Sequence, residues 1–258
     1  MSRLTVGQIR YDLFQINETA EPGLNVDAYL LTGSRKAVLI DTLQESEALY
    51  DTVKRLTDLP LEVIITHGHP DHAGRGLRQF HEAGVPVYMH EADLPLYQNM
   101  FGGGFPGEWF TRINEKDVFD LGGITLETIL CKGHTPGSIV LFDEQNRRLF
   151  TGDAVGSGMF WMQIEGCTPL HEFRQELFRL TKRFGNMENL KIYPGHRWQS
   201  PVQLNAQYLK DTLALTDQIL NHTDNGRECV MEFAGKPLAY KEASYGMMSA
   251  YSYNPENL

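Results

Sequence analysis

The sequence predicts a mixed α/β fold in which two β-sheets pack together with helices on their outer faces. In both halves of the chain, short β-type runs closed by Gly, Asn or Asp alternate with segments of helical period. In addition, 258 residues at 41% hydrophobic content are enough for one large layered domain with a full core. No low-complexity block, long linker or repeat period interrupts the chain. Residues 1–258 are therefore expected to form a single domain, with a C-terminal helix and tail (201–258) packed on it.

The first half opens as a meander of "LTVGQIRYDLFQI", "NVDAYLLTG" and "KAVLIDT", each ending at turn-forming residues. "ESEALYDTVKRLTD" has helical spacing, "LEVIIT" reads as a strand, "HAGRGLRQFHEAG" as a helix ending at a glycine, and "VPVYMH" as another strand. The second half repeats the order. "ITLETILCKG" is a strand and "SIVLFDEQNRRLFTGD" a hairpin around "DEQN". "TPLHEFRQELFRLTKRFG" is a capped amphipathic helix, "LKIYPG" a strand and "PVQLNAQYLKDTLALTDQILNH" a long helix. From "NGREC" onward the pattern is weak.

Composition excludes several function classes. Lys plus Arg number 23 against 33 Asp plus Glu, a net charge of −10, and no dense basic run offsets it. Such a surface repels phosphate backbones, so no nucleic-acid partner is expected. The three cysteines, Cys131, Cys167 and Cys229, lie far apart without disulfide or thiolate-zinc spacing, which fits a reducing cytoplasm. The N-terminal residues alternate polar and apolar without a signal-type core, and no run of about 18 apolar residues occurs. A soluble, cytoplasmic protein with no membrane partner is expected.

The chemistry is concentrated in "IITHGHPDHAGR", where His67, His69, Asp71 and His72 leave the end of an apolar strand. On an extended loop, alternate residues project to one side, so a single loop can offer several metal ligands. The simpler reading is a polar loop in which Asp71 caps the following helix. Three further loops also follow β runs: "CKGHTPGS" with His134, "LFTGDAVGSG" with Asp153 and "KIYPGHRW" with His196. All can converge on one edge of stacked sheets.

The series "THGHPDHAG", "GHTPGS", "TGDAV" and "YPGHRW" resembles the metallo-β-lactamase superfamily over about residues 5 to 220. The resemblance implies a four-layer αββα sandwich with a two-metal site on one sheet edge. It places His67, His69 and His134 on one zinc, Asp71, His72 and His196 on a second, and Asp153 between them. Asp41, ending "AVLID", resembles the aspartate that braces the histidine loop in that family. An all N/O donor set suits two Zn2+ and also admits iron or manganese.

The reaction expected from this set is hydrolysis by a hydroxide bridging the two metals, with Asp71 and Asp153 as the catalytic carboxylates. The substrate is expected to be a small ester, lactone or related carbonyl compound, hydrophobic or aromatic. Apolar clusters near the ligand loops are the candidate pocket walls: Phe101, Phe105, Trp109, Phe110, Met159, Phe160, Trp161, Met162 and Trp198, with Arg197 beside a ligand. Lactonases of the superfamily carry a catalytic tyrosine where this chain has Gly156, so the tail tyrosines Tyr245, Tyr251 and Tyr253 are candidate donors in its place. Alternatives on the same site are a phosphodiesterase, a glyoxalase II-like thioesterase and an iron-dependent persulfide dioxygenase. Against a glutathione thioester, residues 201–258 hold few basic groups. A homodimer is compatible with the apolar clusters.

Overall fold

The computed structural model describes residues 3–20, 23–100, 105–156, 159–200, 202–233, 235–246 and 249–258. β1 (Arg3–Arg10) and β2 (Leu13–Ala20) form a hairpin about Tyr11 and Asp12, which divides the first apolar run in two. β3 (Leu24–Thr32) and β4 (Ala37–Ile40) continue antiparallel. The connections then change character, because helices carry the chain across the sheet and neighbouring strands run parallel. In order these are α1 (Leu49–Leu56), β5 (Leu61–Ile64), α2 (Leu77–Glu82), β6 (Val87–Met89), α3 (Leu94–Met100) and β7 (Thr111–Arg112). The result is a seven-stranded sheet in sequence order. α2 starts later than its apolar spacing predicts. A Cβ at Gly74 would lie 2.0 Å from the carbonyl oxygen of Leu43, so "HAGRG" is held as a close-packed loop rather than a first helical turn.

The second sheet contains β8 (Val118–Asp120), β9 (Thr125–Leu130), β10 (Ile139–Asp143) and β11 (Arg148–Gly152). β12 (Phe160–Met162) leaves it, α4 (Leu170–Phe184) crosses its outer face, and β13 (Lys191–Pro194) joins parallel to β11. α5 (Ala206–Leu220) follows, with Asn205 accepting the Gln207 N–H as its cap. The first N–H of α4 is satisfied from far away. Pro169 gives it no side-chain cap, and the Leu170 N–H donates to the Asn257 carbonyl instead.

The weakly patterned C-terminal stretch folds as β14 (Arg227–Phe233), β15 (Lys236–Tyr245) and β16 (Ser249–Tyr253). With β12 they make a third sheet in the order β12-β16-β15-β14. β14 alternates half-buried and exposed residues, which explains its faint apolar signal.

Alternation along the strands divides the core into layers. Tyr29, Val38, Ile40 and Ile64 of the first sheet meet Leu126, Leu141, Phe150 and Tyr193 of the second. Leu30, Leu39 and Val63 point the other way, onto α1 and α2. Val140, Phe142 and Ile192 pack beneath α4, α5 and the third sheet. This is the expected αββα arrangement. Strands buried on both faces read as continuous apolar runs, as "AVLI" does.

Candidate metal centre

Loops from both sheets meet at one edge, and backbone hydrogen bonds join them. The Ile139 N–H, opening β10, donates to the Thr66 carbonyl at 2.9 Å, and the Asp27 N–H donates to the Gly195 carbonyl at 2.7 Å. At this edge the seven predicted ligands come together. Donor atoms of His67, His69 and His134 lie within 4.8 Å of one another; so do those of His67, His72 and Asp153, and those of Asp71, His72 and His196. Asp153 sits between the groups. Its Oδ2 is 3.8 Å from His134 Nε2, 3.7 Å from His72 Nε2 and 3.2 Å from His196 Nε2.

Four of the five imidazoles are oriented from behind. His67 Nδ1 meets Thr66 Oγ1 at 3.1 Å, and His72 Nδ1 meets Asp41 Oδ2 at 2.8 Å. His134 Nδ1 donates to the Trp161 carbonyl at 2.6 Å, and His196 Nδ1 to the Asn25 carbonyl at 2.8 Å. Each bond places the proton on Nδ1 and turns Nε2 towards its neighbours. Nε2 of His67, His69, His72 and His134, and Oδ1 of Asp153, are buried without a hydrogen-bond partner. Five orphaned polar atoms aimed at one another would be costly in a dry interior, and a cation removes that cost. The donor set fits divalent metal ions.

Asp41 is buried and has φ +65°, a backbone conformation that non-glycine residues rarely adopt. Its carboxylate accepts the Thr66 N–H at 2.7 Å and the Thr66 hydroxyl at 2.9 Å besides bracing His72. One residue at the end of β4 thus fixes both ends of the histidine loop. Asp71 leads into no helix, since α2 begins at Leu77, and its capping role is not realised.

Two further aspartates carried no local sequence signal. Asp93, fully buried, accepts the Gly68 N–H at 2.8 Å, the Gly137 N–H at 2.6 Å and the Thr135 hydroxyl at 2.7 Å. It clamps the loop of His67 and His69 to the loop of His134. Both glycines are required by this approach, because a Cβ would lie 2.7 Å from Asp93 at position 137 and 2.9 Å from it at position 68. Asp27 accepts the Arg197 N–H at 2.8 Å and so fixes the residue after His196. Gly195 is another close approach, since a Cβ there would lie 2.3 Å from the His72 ring.

The protein's own charges divide the centre into two faces. Burial pushes His67 well down, His134 down and His69 to about 3, so the three-histidine face is held neutral. Burial also opposes charge on His72 and His196, but surrounding carboxylates outweigh it. Asp71, Asp153 and Asp41 raise His72 to about 10, and Asp153 and Asp71 raise His196 strongly. In return, despite burial, His72 and His196 hold Asp71 and Asp153 well below the ordinary carboxylate range. The second face strongly favours positive charge.

A pocket of about 330 Å3 opens on this centre, with His69, Asp71, His134, Asp153 and His196 on one side. Met159, Phe160, Trp161 and Trp198 line it as the sequence suggested, joined by Ile164 and Phe233. Other predicted wall residues lie elsewhere. Met162 alternates with Trp161 on β12 and turns into the core beneath α4. Phe105 and Trp109 stack on each other at 4.6 Å, Trp109 stacks on His81 at 3.9 Å, and Phe110 packs on Tyr97. These three therefore cover the outer face of the first sheet near α2, where apolar area was available to bury. Phe101 lies outside the described residues. Arg197 lines a neighbouring polar groove with Gln15 and Asn17. The tail tyrosines do not supply the donor absent at Gly156. Tyr251 bonds Thr216 at 2.6 Å, Tyr253 bonds Asp224 at 2.8 Å, and Tyr245 is exposed and does not line the pocket. Among the described residues, no helix is long and apolar enough to cross a membrane.

Fold and site together define an αββα protein with a clustered His/Asp centre, and comparison with known proteins supplies the family. Residues 22–196 match the model of the metallo-beta-lactamase superfamily, and the chain belongs to that superfamily. It is 31% identical over 137 residues to the hydroxyacylglutathione hydrolase GloC of Haemophilus influenzae, covering 48% of this chain and 63% of that protein. It is 30% identical over 218 residues to the acyl-coenzyme A thioesterase MBLAC2 of Homo sapiens, covering 68% and 74%. To the mitochondrial persulfide dioxygenase ETHE1 of Bos taurus it is 31% identical over 192 residues, covering 70% and 67%. A metallo-beta-lactamase from Pontibacter korlensis superposes with a TM-score of 0.66 at 23% identity, covering 83% of this chain and 99% of that structure, and shares the fold.

Proposed function

We propose that this protein is a binuclear metallohydrolase that cleaves a small acyl compound, an ester, lactone or thioester with an apolar acyl group. The observation that carries the reading is the pocket itself. An apolar wall of Met159, Phe160, Trp161, Ile164 and Phe233 faces the His/Asp cluster, and no Lys or Arg is among the lining residues described. A phosphodiester would need cationic partners for its non-bridging oxygens, whereas an acyl group gains from desolvation. The relatives named as a hydroxyacylglutathione hydrolase and an acyl-coenzyme A thioesterase support an acyl carbonyl as the target. The reading treats residues 1–258 as one folded unit, since the C-terminal sheet contributes to the pocket.

In this reading His67, His69 and His134 would hold one Zn2+ and Asp71, His72 and His196 the other, with Asp153, whose Oδ2 approaches His134, His72 and His196, available to both. Bound there, the ions supply Lewis acidity, lowering the pKa of water towards about 7 and polarising a carbonyl. The protein's residues do the rest. Asp71 lines the pocket with its Oδ2 3.3 Å from His196 Nε2, and its carboxylate, kept ionised, would accept a hydrogen bond from water and orient it towards the substrate. Trp161 and Phe160 exclude water from the acyl group, and Trp198 flanks the mouth.

The test is a substrate panel on metal-loaded protein with elemental analysis of the same sample. Two metal ions per chain and turnover of an aryl ester, lactone or thioester are expected. Turnover confined to phosphodiesters would overturn the acyl assignment. A single iron with oxygen uptake on a persulfide would place the activity with the dioxygenase to which the chain is also similar.

A further inference from the structure

The hairpin of β14 and β15 lies beyond residue 196, outside the segment that matches the family model, yet it reaches the pocket. Along β14, Cys229, Met231 and Phe233 are half-buried while Glu228, Val230 and Glu232 are exposed, so one face of the hairpin turns inward. Leu238, opposite Met231 across the hairpin, is half-buried on that same face. The inward face meets β12 and the residue that follows it. Gln163 Nε2 approaches Met231 Sδ at 3.7 Å, and the Phe233 ring stands edge-on to Trp161 with centroids 6.0 Å apart. Phe233 lines the pocket with Trp161 and Ile164, while Val230, on the opposite face, is 72% exposed.

We propose that this hairpin is the acyl-selectivity element of the enzyme, with Phe233 completing the wall begun by Trp161 and selecting extended apolar acyl chains over acetyl. The inference rests on the acyl-hydrolase reading for its substrate class, but its geometry is independent of which bond is cut. A chain leaving the His/Asp cluster along the apolar wall meets Phe233 and displaces water from both rings. An acetyl group contacts only the residues next to the cluster. Selectivity of this kind resides in binding of the apolar group and shows in KM rather than kcat.

The experiment uses full-length, metal-loaded protein and three variants: Phe233→Ala, Phe233→Trp and, as a control on the outward face, Val230→Ala. kcat/KM is measured for the p-nitrophenyl esters of acetate, hexanoate and decanoate, and binding of the free carboxylates acetate and hexanoate by calorimetry. In Phe233→Ala the hexanoate-to-acetate ratio is expected to fall about tenfold, carried by KM, with a matching loss in hexanoate binding. Phe233→Trp should shift the preference away from decanoate towards shorter chains, and Val230→Ala should keep the wild-type ratio. Unchanged ratios and unchanged hexanoate binding in both Phe233 variants would overturn the proposal, as would a Val230→Ala effect equal to that of Phe233→Ala. If the wild type cleaves no ester, lactone or thioester but Phe233→Ala still weakens hexanoate relative to acetate, the hydrolase reading fails and the hairpin assignment stands. Equal binding of acetate and hexanoate by a wild type that cleaves no ester, lactone or thioester would reject both.

Discussion

The carbonyl oxygen of Trp161 lies 2.6 Å from Nδ1 of His134, so a residue whose ring lines the pocket also orients an imidazole of the His/Asp cluster through its backbone. β12, which carries that carbonyl, is three residues long and is paired with the C-terminal strand β16, Trp161 opposite Ser252. Truncation before Ser249 should therefore loosen His134. We expect retained far-UV circular dichroism for most of the fold, a lower melting temperature and metal affinity reduced by about 10–100-fold, the range for lost partners of metal ligands. Competition with a chelating dye measures it, and wild-type affinity in the truncated chain would refute it.

Asp93 gives a second prediction. Its two oxygens accept from Gly137, Gly68 and Thr135, so Asp93→Asn turns an NH2 donor towards a donor at nearly unchanged volume. Each unsatisfied buried group costs about 1–3 kcal/mol. A fall in melting temperature is expected together with weaker metal retention, because the clamp spans two ligand loops. Visible spectra of the cobalt-substituted protein should change shape, which a purely global loss of stability would not cause.

A third prediction concerns protein stripped of metal with a chelator. His72, raised to about 10, binds a proton in the folded state that the unfolded state releases above about 6.5, so its stabilising contribution is full below that pH and fades as pH rises towards 10. His69, lowered to about 3, works in the opposite sense: the unfolded state takes up a proton below about 6.5, and stability falls as pH drops towards 3. The melting temperature of stripped protein should peak near pH 6.5. A curve still rising between pH 7 and 9 would contradict the two-faced centre.

The fourth prediction is structural. Arg148, 1% exposed, donates to Asp143 and to Asp12 at 2.7 Å each, tying the second sheet to the turn between β1 and β2. Arg148→Met leaves two buried carboxylates without their cation, and removing one partner of such a pair costs about 3–5 kcal/mol. Urea denaturation should report that loss, and a change below about 1 kcal/mol would show that water compensates at this site.

The four loops that converge on the His/Asp cluster are legible in the sequence because each is a short motif at the end of an apolar strand, with donor and punctuation adjacent in the chain. Asp93 was not, since its meaning lies in a contact with Gly137, 44 residues away, and nothing around "HEADLPL" announces it. The C-terminal sheet escaped for another reason. Its outer strands are buried on one face at most, and Glu228, Val230 and Glu232 stay in solvent, so the apolar alternation stays below what a sequence pattern reveals. The aromatic loop containing Phe105, Trp109 and Phe110 is expected from its composition to wall the pocket and instead packs near α2, because composition does not say which surface a loop covers. At 159–162, strand alternation sends Trp161 to the pocket and Met162 to the core.

The pairing of β12 with β16 also bears on how the protein matures. Translation produces all seven clustered His and Asp side chains by residue 196, yet the strand that steadies His134 through Trp161 emerges more than fifty residues later. A nascent chain held on the ribosome between those points carries the donors without their final alignment, and the Leu170 N–H of α4 still lacks the Asn257 carbonyl. Domains fold largely as units during synthesis. Final alignment of His134 is thus deferred until β16 has emerged and paired with β12, so the cluster is assembled by a strand made after all of its own side chains.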